Sequence, residues 1–282
     1  SILVTCQEVC YTNAPFSIQS KKTYYGESME NPIIDLIHQH ASIRRYKSDP
    51  VPVAMIEAIV KAGQRASTSS NLQIYSVIAI MDPEKREKLA SLADNQEFIT
   101  AAPVLLVWCA DLARLDRVCQ LRETEQVVEY LDNFLLTAMD VCLAAQNAAL
   151  AAESFGLGIC YIGALRKEAQ NVITLLHLPR LVFPLFGMTV GWPEMKSWVK
   201  PRLPLKAILH WEEYDSNQDD QLQEYDKTMA ETGMYKGRQS PYPGREEEME
   251  NYGWMEHTAR RAARSGRKDL REMLEEQGFL LK

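Results

Sequence analysis

The 282-residue sequence lacks the patterns that mark metal-binding, secreted and membrane proteins. Its six cysteines include no C-x-x-C pair, and no histidines follow them at zinc-finger spacing. No stretch reaches the ~20 uninterrupted apolar residues of a membrane helix. Residues 1–30 have neither the basic start nor the apolar middle of a signal peptide. We therefore expect reduced thiols, no bound metal, no membrane partner and a cytoplasmic location.

Motifs of several enzyme classes are missing as well. The sequence contains no G-x-S-x-G elbow, no Walker phosphate loop and no H-E-x-x-H zinc motif. Gly156, Gly158 and Gly163 form a glycine-rich run, but this run follows a helix and precedes a strand, which reverses the order of a dinucleotide-binding fingerprint. His38 and His40 are two residues apart and so lie on different helix faces. A Rossmann dehydrogenase and a helical histidine metal pair are both disfavoured.

The sequence also lacks a basic stripe. Its 31 Lys and Arg residues against 38 Asp and Glu residues give a net charge of −7. Residues 31–211 hold 18 residues of each sign, whereas residues 212–251 hold 4 basic and 12 acidic ones. Because phosphate backbones are bound by concentrated positive charge, nucleic acid is disfavoured as a partner. The 46% hydrophobic content supplies a globular core, and small-molecule chemistry is favoured.

Apolar periodicity predicts a mixture of strands and helices. We predict strands at residues 75–80, 104–109, 159–162 and 182–190, and helices at residues 83–93, 125–155, 166–176, 217–232, 251–264 and 267–277, with two further helices from Pro32 and after Pro52. The helix at 125–155 is apolar around nearly its whole circumference in its second half, which is typical of a helix buried in a core. The helix from Pro32 is capped by Asn31 and has an apolar face that we expect to be buried. These elements favour an α+β fold with a central mixed β-sheet around the long buried helix.

Composition divides the chain into three parts. Residues 1–30 show no clean period, and we interpret them as an N-terminal extension. Residues 31–211 contain all the predicted strands and form the core. Residues 212–282 contain charged amphipathic helices joined by glycines and prolines, so we expect a helical excursion across a surface.

Three polar segments could bind an anionic or hydroxyl-rich ligand. Residues 40–46 offer an imidazole, a hydroxyl and two guanidiniums, although a basic helix C-terminus also complements the helix dipole. The loop at 67–73 offers hydroxyls and backbone N–H groups for a phosphate or a sugar alcohol, although Ser-rich turns are common. Residues 200–204 present Lys200 and Arg202 between prolines, which suits a phosphate unless both cations stay solvated.

In this order the segments resemble one protein family. The carriers are His-x-Ser-x-Arg, the Ser/Thr loop, a Tyr-Ile-Gly turn after a long buried helix, and Gly-Trp-Pro followed by Lys-Pro-Arg-Leu-Pro. Together with residues 145–158 and 184–187 they are similar to the flavin-dependent nitroreductase superfamily. The pattern is most similar to its group of NADPH-dependent oxygen-insensitive nitroreductases and flavin reductases. The resemblance covers residues 31–282.

The resemblance implies an FMN cofactor at the interface of an intertwined homodimer, with residues 212–282 wrapping the partner subunit and carrying the NADPH site. The residues that it assigns to FMN are His40, Ser42 and Arg44 of the first motif, Thr68, Ser69 and Ser70 of the hydroxyl loop, Gln96 at the isoalloxazine edge, Tyr161, Ile162, Gly163 and Ala164 of the turn against the flavin, and the cations Lys200 and Arg202. For the 2′-phosphate of NADPH it indicates Lys236 and Arg238, with solvated loop charges as the alternative.

Two positions depart from the family pattern. Ala164 stands where the turn commonly has a second glycine, which alters one backbone approach to the flavin. Ala41 stands where the first motif often has an arginine. One charge near the cofactor is therefore absent, or is supplied by Arg45 or another group.

The activity implied by the resemblance is an FMN-dependent, two-electron ping-pong oxidoreductase. A hydride passes from NADPH to flavin N5 and then to a nitroaromatic, a quinone or free flavin, so no side chain needs to act as a nucleophile or a general acid. Two other functions stay open on the sequence. One is a non-catalytic flavin-binding sensor or partner-binding module. The other is an FMN enzyme with another substrate, such as a flavin-dependent dehalogenase or a dedicated NADPH:FMN reductase that supplies reduced flavin.

Overall fold

Four strands form the sheet at the centre of the fold, and the computed structural model describes residues 31–244, 252–264 and 266–282. The strands are β1 (Tyr75–Ile80), β2 (Val104–Asp111), β3 (Gly158–Ile162) and β4 (Val182–Gly191). They lie in the order β1-β2-β4-β3, and each of the three pairings is antiparallel. The α+β class is confirmed, but the expectation of a mixed sheet is wrong for the described strands. Hydrophobic periodicity locates a strand without indicating its direction, which explains the error.

Helices cover this sheet. In the described part of the chain they are α1 (Pro32–His38), α2 (Val53–Gly63), α3 (Pro83–Leu92), α4 (Glu97–Ala101), α5 (Ala113–Leu121), α6 (Leu131–Ser154), α7 (Ala169–Leu176), α8 (Asp219–Glu231), α9 (Trp254–Ala262) and α10 (Leu270–Glu276). The prediction missed α4 and α5. The first has only five residues, and the second has no fully buried residue along its length. The predicted extension at residues 1–30 lies outside the described residues.

Only one face of the long helix α6 is buried in the core. Its buried residues are mostly small: Thr137, Asp140, Val141, Ala144, Ala145, Ala148, Ala149 and Ala152. Gly63 lets α2 lie close against it, because a Cβ at Gly63 would stand 2.9 Å from the Ala144 carbonyl oxygen. On the opposite face Leu135, Met139 and Leu143 are 48%, 53% and 49% exposed. The expectation of burial all round is therefore wrong for this single chain.

By length and composition alone α6 could cross a membrane, although it contains no uninterrupted apolar run of ~20 residues. Its packing against α2 and β2 is that of a core helix. A buried carboxylate, Asp140, also points from α6 into the protein interior. We therefore interpret α6 as the central helix of the core.

Helix α1 also presents an apolar face that its own chain leaves exposed. Asn31 caps the helix as predicted, since its Oδ1 accepts the N–H groups of Ile33 and Ile34 at 2.9 and 3.3 Å. The isoleucine side chains are exposed nonetheless: Ile33 by 61%, Ile34 by 46% and Ile37 by 42%. The expected burial of this face is wrong within one chain, because periodicity identifies an apolar face and does not identify what covers it.

The end of the chain returns to the core. Leu274, Phe279 and Leu281 belong to the main hydrophobic cluster beneath α6. The backbone N–H of Lys282 donates to the Glu129 carbonyl at 2.7 Å, just before α6 begins. Helices α8 and α9 instead form a separate small cluster, whose buried members are Tyr225, Met229, Tyr235 and Tyr252. Within residues 212–282, α10 thus packs with the body of its own chain, and α8 and α9 pack mainly with each other.

Candidate functional site

The segment at residues 40–46 runs beside β3. The backbone N–H of Ile43 donates to the carbonyl of Ile159 at 2.8 Å. Gly158 makes this approach possible, because a Cβ at that position would stand 2.4 Å from Ile43 Cγ1. Gly158, the first residue of β3 and a member of the glycine-rich run, therefore leaves room for the first predicted cofactor motif.

A buried tyrosine fixes the end of this segment. The Tyr46 hydroxyl donates to the Ile43 carbonyl at 2.8 Å and lies 2.8 Å from Thr189 Oγ1 of β4. Burial raises the pKa of Tyr46 well above its ordinary value, so the phenol stays neutral and keeps its donor proton. Arg44 lies between the two residues that this hydrogen bond joins, and its backbone position is consequently fixed.

Four cations converge next to β3, and we call Arg44, Lys200, Arg202 and Arg238 the cation cluster. Burial lowers the pKa of Lys200, and the charges of Arg44 and Arg202 lower it further. The charge of Arg238 also lowers the pKa of Lys200. A residue predicted for NADPH therefore lies near the residues predicted for FMN. Within the described residues none of the four forms an ion pair with a carboxylate. Converging positive charge without a counter-ion is typical of a phosphate site.

Helix α4 contacts this cluster. The guanidinium carbon of Arg44 lies 5.7 Å from the ring centroid of Phe98, within cation–π range. Gln96, two positions before Phe98, is half-buried and is the N-cap residue that directly precedes α4. The segment that carries the predicted isoalloxazine contact thus lies beside the cations. Lys236, in contrast, is exposed and is not among the charges that act on Lys200.

The hydroxyl loop is held by a carboxylate that the prediction missed. The backbone N–H of Ser69 donates to Asp140 Oδ1 of α6 at 2.9 Å. Asp140 is 1% exposed, and its Oδ2 has no hydrogen-bond partner among the described residues. Ser70 and Asn71 have φ values of 46° and 57°, which turn the loop sharply and leave Ser70 exposed. No hydrogen bond in the described chain joins this loop to the cation cluster.

The predicted flavin turn borders a cavity of about 340 Å³. The cavity is lined by Cys142, Gln146, Tyr161, Gly163, Arg166 and Phe186. The rings of Tyr161 and Phe186 meet edge to face, with centroids 5.3 Å apart. The side chain of Ile162 points the other way and is 1% exposed in the core, so only its backbone can reach a ligand. Ala164 likewise packs against the core.

A buried glutamate orients the predicted imidazole. His40 Nδ1 lies 2.5 Å from Glu153 Oε1, a charge-assisted distance. The Glu153 side chain is 10% exposed, and its Oε2 has no partner among the described residues. Burial raises the pKa of Tyr161, and the charge of Glu153 contributes to the rise. Sequence reasoning missed Glu153, although an acidic residue in the otherwise apolar and alanine-rich end of α6 was a usable signal.

Comparison with known proteins agrees with this site. The model of the Nitroreductase family matches residues 37–192, and that of its C-terminal domain matches residues 200–282. An FMN reductase (NADPH) of Bacillus subtilis is 38% identical over 88% of this chain and 98% of its own length. An oxygen-insensitive NADPH nitroreductase of Salmonella typhimurium is 36% identical, with the same two coverages. The solved structure of B. megaterium NfrA2 superposes with a TM-score of 0.82 at 35% identity, covering 90% of this chain and all of the other.

The fold and site define a flavin-type oxidoreductase, and the chain belongs to the nitroreductase family. FMN fits the residues present. The cation cluster has no carboxylate partner in the described chain, which suits the phosphate of FMN. Gly163 has no side chain to block a planar ring, whereas a Cβ there would stand 3.3 Å from Arg166 Nη2.

Proposed function

We propose that this protein is an FMN-dependent oxidoreductase that takes reducing equivalents from NADPH and delivers them to nitroaromatics, quinones or free flavin. The observation that carries the proposal is the cation cluster beside Cys160 of β3, which has no carboxylate partner among the described residues. The NADPH-dependent FMN reductase and nitroreductase among its relatives support the same activity. Bound FMN supplies the two-electron hydride chemistry, and no side chain is required as a nucleophile.

The side chains of this protein would bind FMN and orient it. Arg44, Lys200 and Arg202 would hold the phosphate, since guanidinium and ammonium groups bind it through charge-assisted hydrogen bonds. Hydroxyl groups of residues 68–70 would bind the ribityl chain, with Asp140 fixing the loop. Glu153 keeps the His40 ring in one orientation toward the cofactor. Placement of the reactants, and not acid–base chemistry, is then the protein's main contribution to the rate.

The direct test is anaerobic mixing of the purified yellow protein with NADPH in a stopped-flow instrument. We expect the flavin absorbance to bleach before any acceptor is present, and to return when a quinone is added, as a ping-pong cycle requires. A yellow protein that neither NADPH nor NADH bleaches is instead a flavin-binding sensor. A protein that loses FMN on desalting but reduces free FMN rapidly is a dedicated supplier of reduced flavin.

For the nucleotide we propose Arg238 as the main contact with the 2′-phosphate. The charge of Arg238 lowers the pKa of Lys200, whereas Lys236 is not among the charges that do so. Replacing Arg238 with alanine should lower kcat/KM for NADPH roughly tenfold, because one exposed charge-assisted hydrogen bond is worth ~1.5 kcal/mol. The value for NADH, which lacks this phosphate, should stay the same. Lys236→Ala is the matched control, and an equal loss in both variants would contradict the assignment.

We also propose that the protein is a homodimer. Two apolar faces, on α1 and along Leu135, Met139 and Leu143 of α6, are uncovered in one chain. Trp211 and Tyr214, at the start of the predicted excursion, are 79% and 76% exposed. Exposed apolar surface of this extent is typical of a protein–protein interface. The resemblance noted in the sequence supports the same assembly.

A cytoplasmic location is part of the proposal. The described cysteines are all free, and two of them, Cys109 and Cys160, are buried. Burial raises the pKa of Cys109 to about 12, which keeps this thiol protonated and unreactive. Such thiols and an NADPH-dependent activity suit a reducing compartment. Small acceptors, and neither nucleic acid nor a membrane, are the partners that we propose.

A further inference from the structure

A second cavity, of about 670 Å³, shares Arg166 with the cavity at the flavin turn. We call it the basic cavity. Its charged lining residues are Arg166, Lys167, Arg261, Arg264, Arg267, Lys268 and Asp269. Six of these seven are cations, so the lining of the cavity carries a large excess of positive charge. The cations of this cavity are not those of the cation cluster.

Among the described residues, carboxylates compensate little of this charge. Lys167 is paired with Asp94, with Nζ 2.6 Å from Oδ2. Arg261 and Lys268 are exposed, and neither forms an ion pair or a side-chain hydrogen bond within the described residues. Burial lowers the pKa of Arg166, and the neighbouring charge of Arg267 lowers it further. The cavity therefore gains electrostatic free energy when it takes up an anion.

Backbone contacts hold several of these cations in place without neutralising them. Arg166 Nη1 donates to the Leu185 carbonyl, and Arg264 Nη2 donates to the Pro241 carbonyl. Both arginines can still turn N–H groups toward a ligand, because each guanidinium has five donors. Ordered guanidiniums suit phosphate, sulfonate and carboxylate groups, since less side-chain entropy is lost when the anion binds.

The basic cavity is joined to the flavin turn. Arg267 Nη2 donates to the Gly163 carbonyl at 2.9 Å. Arg166 lines both cavities, and Gly163 lines the smaller one together with the rings of Tyr161 and Phe186. A molecule with its aromatic ring in the smaller cavity could therefore place an anionic substituent among the cations of the larger one.

We propose that the basic cavity binds the anionic group of an aromatic electron acceptor, such as the phosphate of free FMN or the sulfonate of a naphthoquinone. The inference rests on the proposed oxidoreductase function and assigns its acceptor class. In the reaction the quinone gains one hydride, which originates from NADPH, and one proton from water, and becomes the hydroquinone. The anionic group takes no part in the electron transfer and contributes only to binding.

The test compares acceptors that share a ring and differ in charge. FMN and riboflavin form one pair, and 1,4-naphthoquinone-2-sulfonate and 1,4-naphthoquinone form the other. The variant is Arg261→Gln with Lys268→Gln, which removes two cations that the proposed cofactor site does not use. The control is Arg117→Gln with Arg122→Gln, which removes one exposed charge from α5 and one from the residue that follows it. The wild type and both double variants are measured as FMN-loaded enzymes with all four acceptors at low ionic strength.

We expect the first variant to lower kcat/KM for both anionic acceptors by roughly fivefold, mainly through KM, because two exposed charge pairs are worth ~1 kcal/mol together. Riboflavin, 1,4-naphthoquinone and the KM for NADPH should not change, and the control variant should match the wild type. Added salt should reduce the effect. Pyrophosphate should inhibit the reduction of free FMN by the wild type more strongly than by the variant.

Three results would overturn the inference. Equal losses for anionic and neutral acceptors would show a structural effect, and a rise in the KM for NADPH by the same factor would make the cavity a reductant site. Unchanged values for all acceptors would show that the cavity binds none of them. A loss for FMN alone would support the inference and restrict it to phosphate. If the wild type reduces no neutral acceptor, the proposed function itself fails, and this outcome is distinct from the other three.

Discussion

The Arg44→Ala/Lys200→Ala double variant is expected to lose FMN on a desalting column and to bind it again only weakly. Each cation would make a charge-assisted hydrogen bond to the phosphate, worth ~2 kcal/mol, so the dissociation constant should rise roughly a thousandfold for the pair. Fluorescence titration of the apoprotein with FMN measures this constant directly. The same titration with riboflavin, which lacks the phosphate, should give similar constants for the variant and the wild type.

The matched control for this prediction is Lys85→Ala/Lys88→Ala, which removes two exposed charges from α3. Its affinity for FMN should equal that of the wild type. Circular dichroism should show the same helical content for all three proteins, since neither Arg44 nor Lys200 is buried in the core. An FMN affinity of the double variant within threefold of the wild type would remove the cation cluster from the phosphate site.

Replacing Met139 and Leu143 with glutamate is expected to convert the proposed dimer into monomers. Both side chains lie on the exposed face of α6, and the twofold symmetry of a homodimer would place four carboxylates in one apolar interface. Burying an unpaired charge costs several kcal/mol, so the dimer should dissociate at micromolar protein concentration. Light scattering coupled to size-exclusion chromatography measures the mass, and the monomer should also lose FMN.

The control for the dimer prediction is Val118→Glu/Leu121→Glu. These residues of α5 are 49% and 63% exposed, so the substitution adds the same charge at two exposed apolar side chains elsewhere. It should leave the mass unchanged. A wild type that elutes as a monomer would refute the homodimer, and a Met139→Glu/Leu143→Glu protein that stays dimeric would place the interface on another face.

Strand and helix positions could be predicted because each apolar segment has the period of one element. The strand at Tyr75–Ile80 follows directly from that period, and the helix predicted at residues 125–155 is observed at Leu131–Ser154. Strand direction could not be predicted, because the side-chain period is the same in both directions. The sequence predicts that the exposed faces of α1 and α6 are buried, and the reason for this error is related. Periodicity does not distinguish the core of one chain from the contact between two.

Part of the site could be predicted from short motifs and part could not. Arg44, Lys200 and Arg202 come from segments more than 150 residues apart, and their convergence agrees with the order in which the motifs occur. Asp140 and Glu153 could not be assigned, because their partners Ser69 and His40 meet them only after folding. A lone carboxylate in an apolar helix indicates a buried polar contact without naming its partner.

Helix α6 sets the distance between two parts of the candidate site. Asp140 and Glu153 are thirteen positions apart, which corresponds to ~20 Å along a rigid helix. Asp140 accepts the hydrogen bond from the hydroxyl loop, and Glu153 contacts His40. The distance between these two contacts is set by the length of the helix between them. Gaining or losing one residue between them would turn one anchor by ~100° about the helix axis relative to the other. The number of residues in this part of α6 is therefore fixed by the two contacts that Asp140 and Glu153 make.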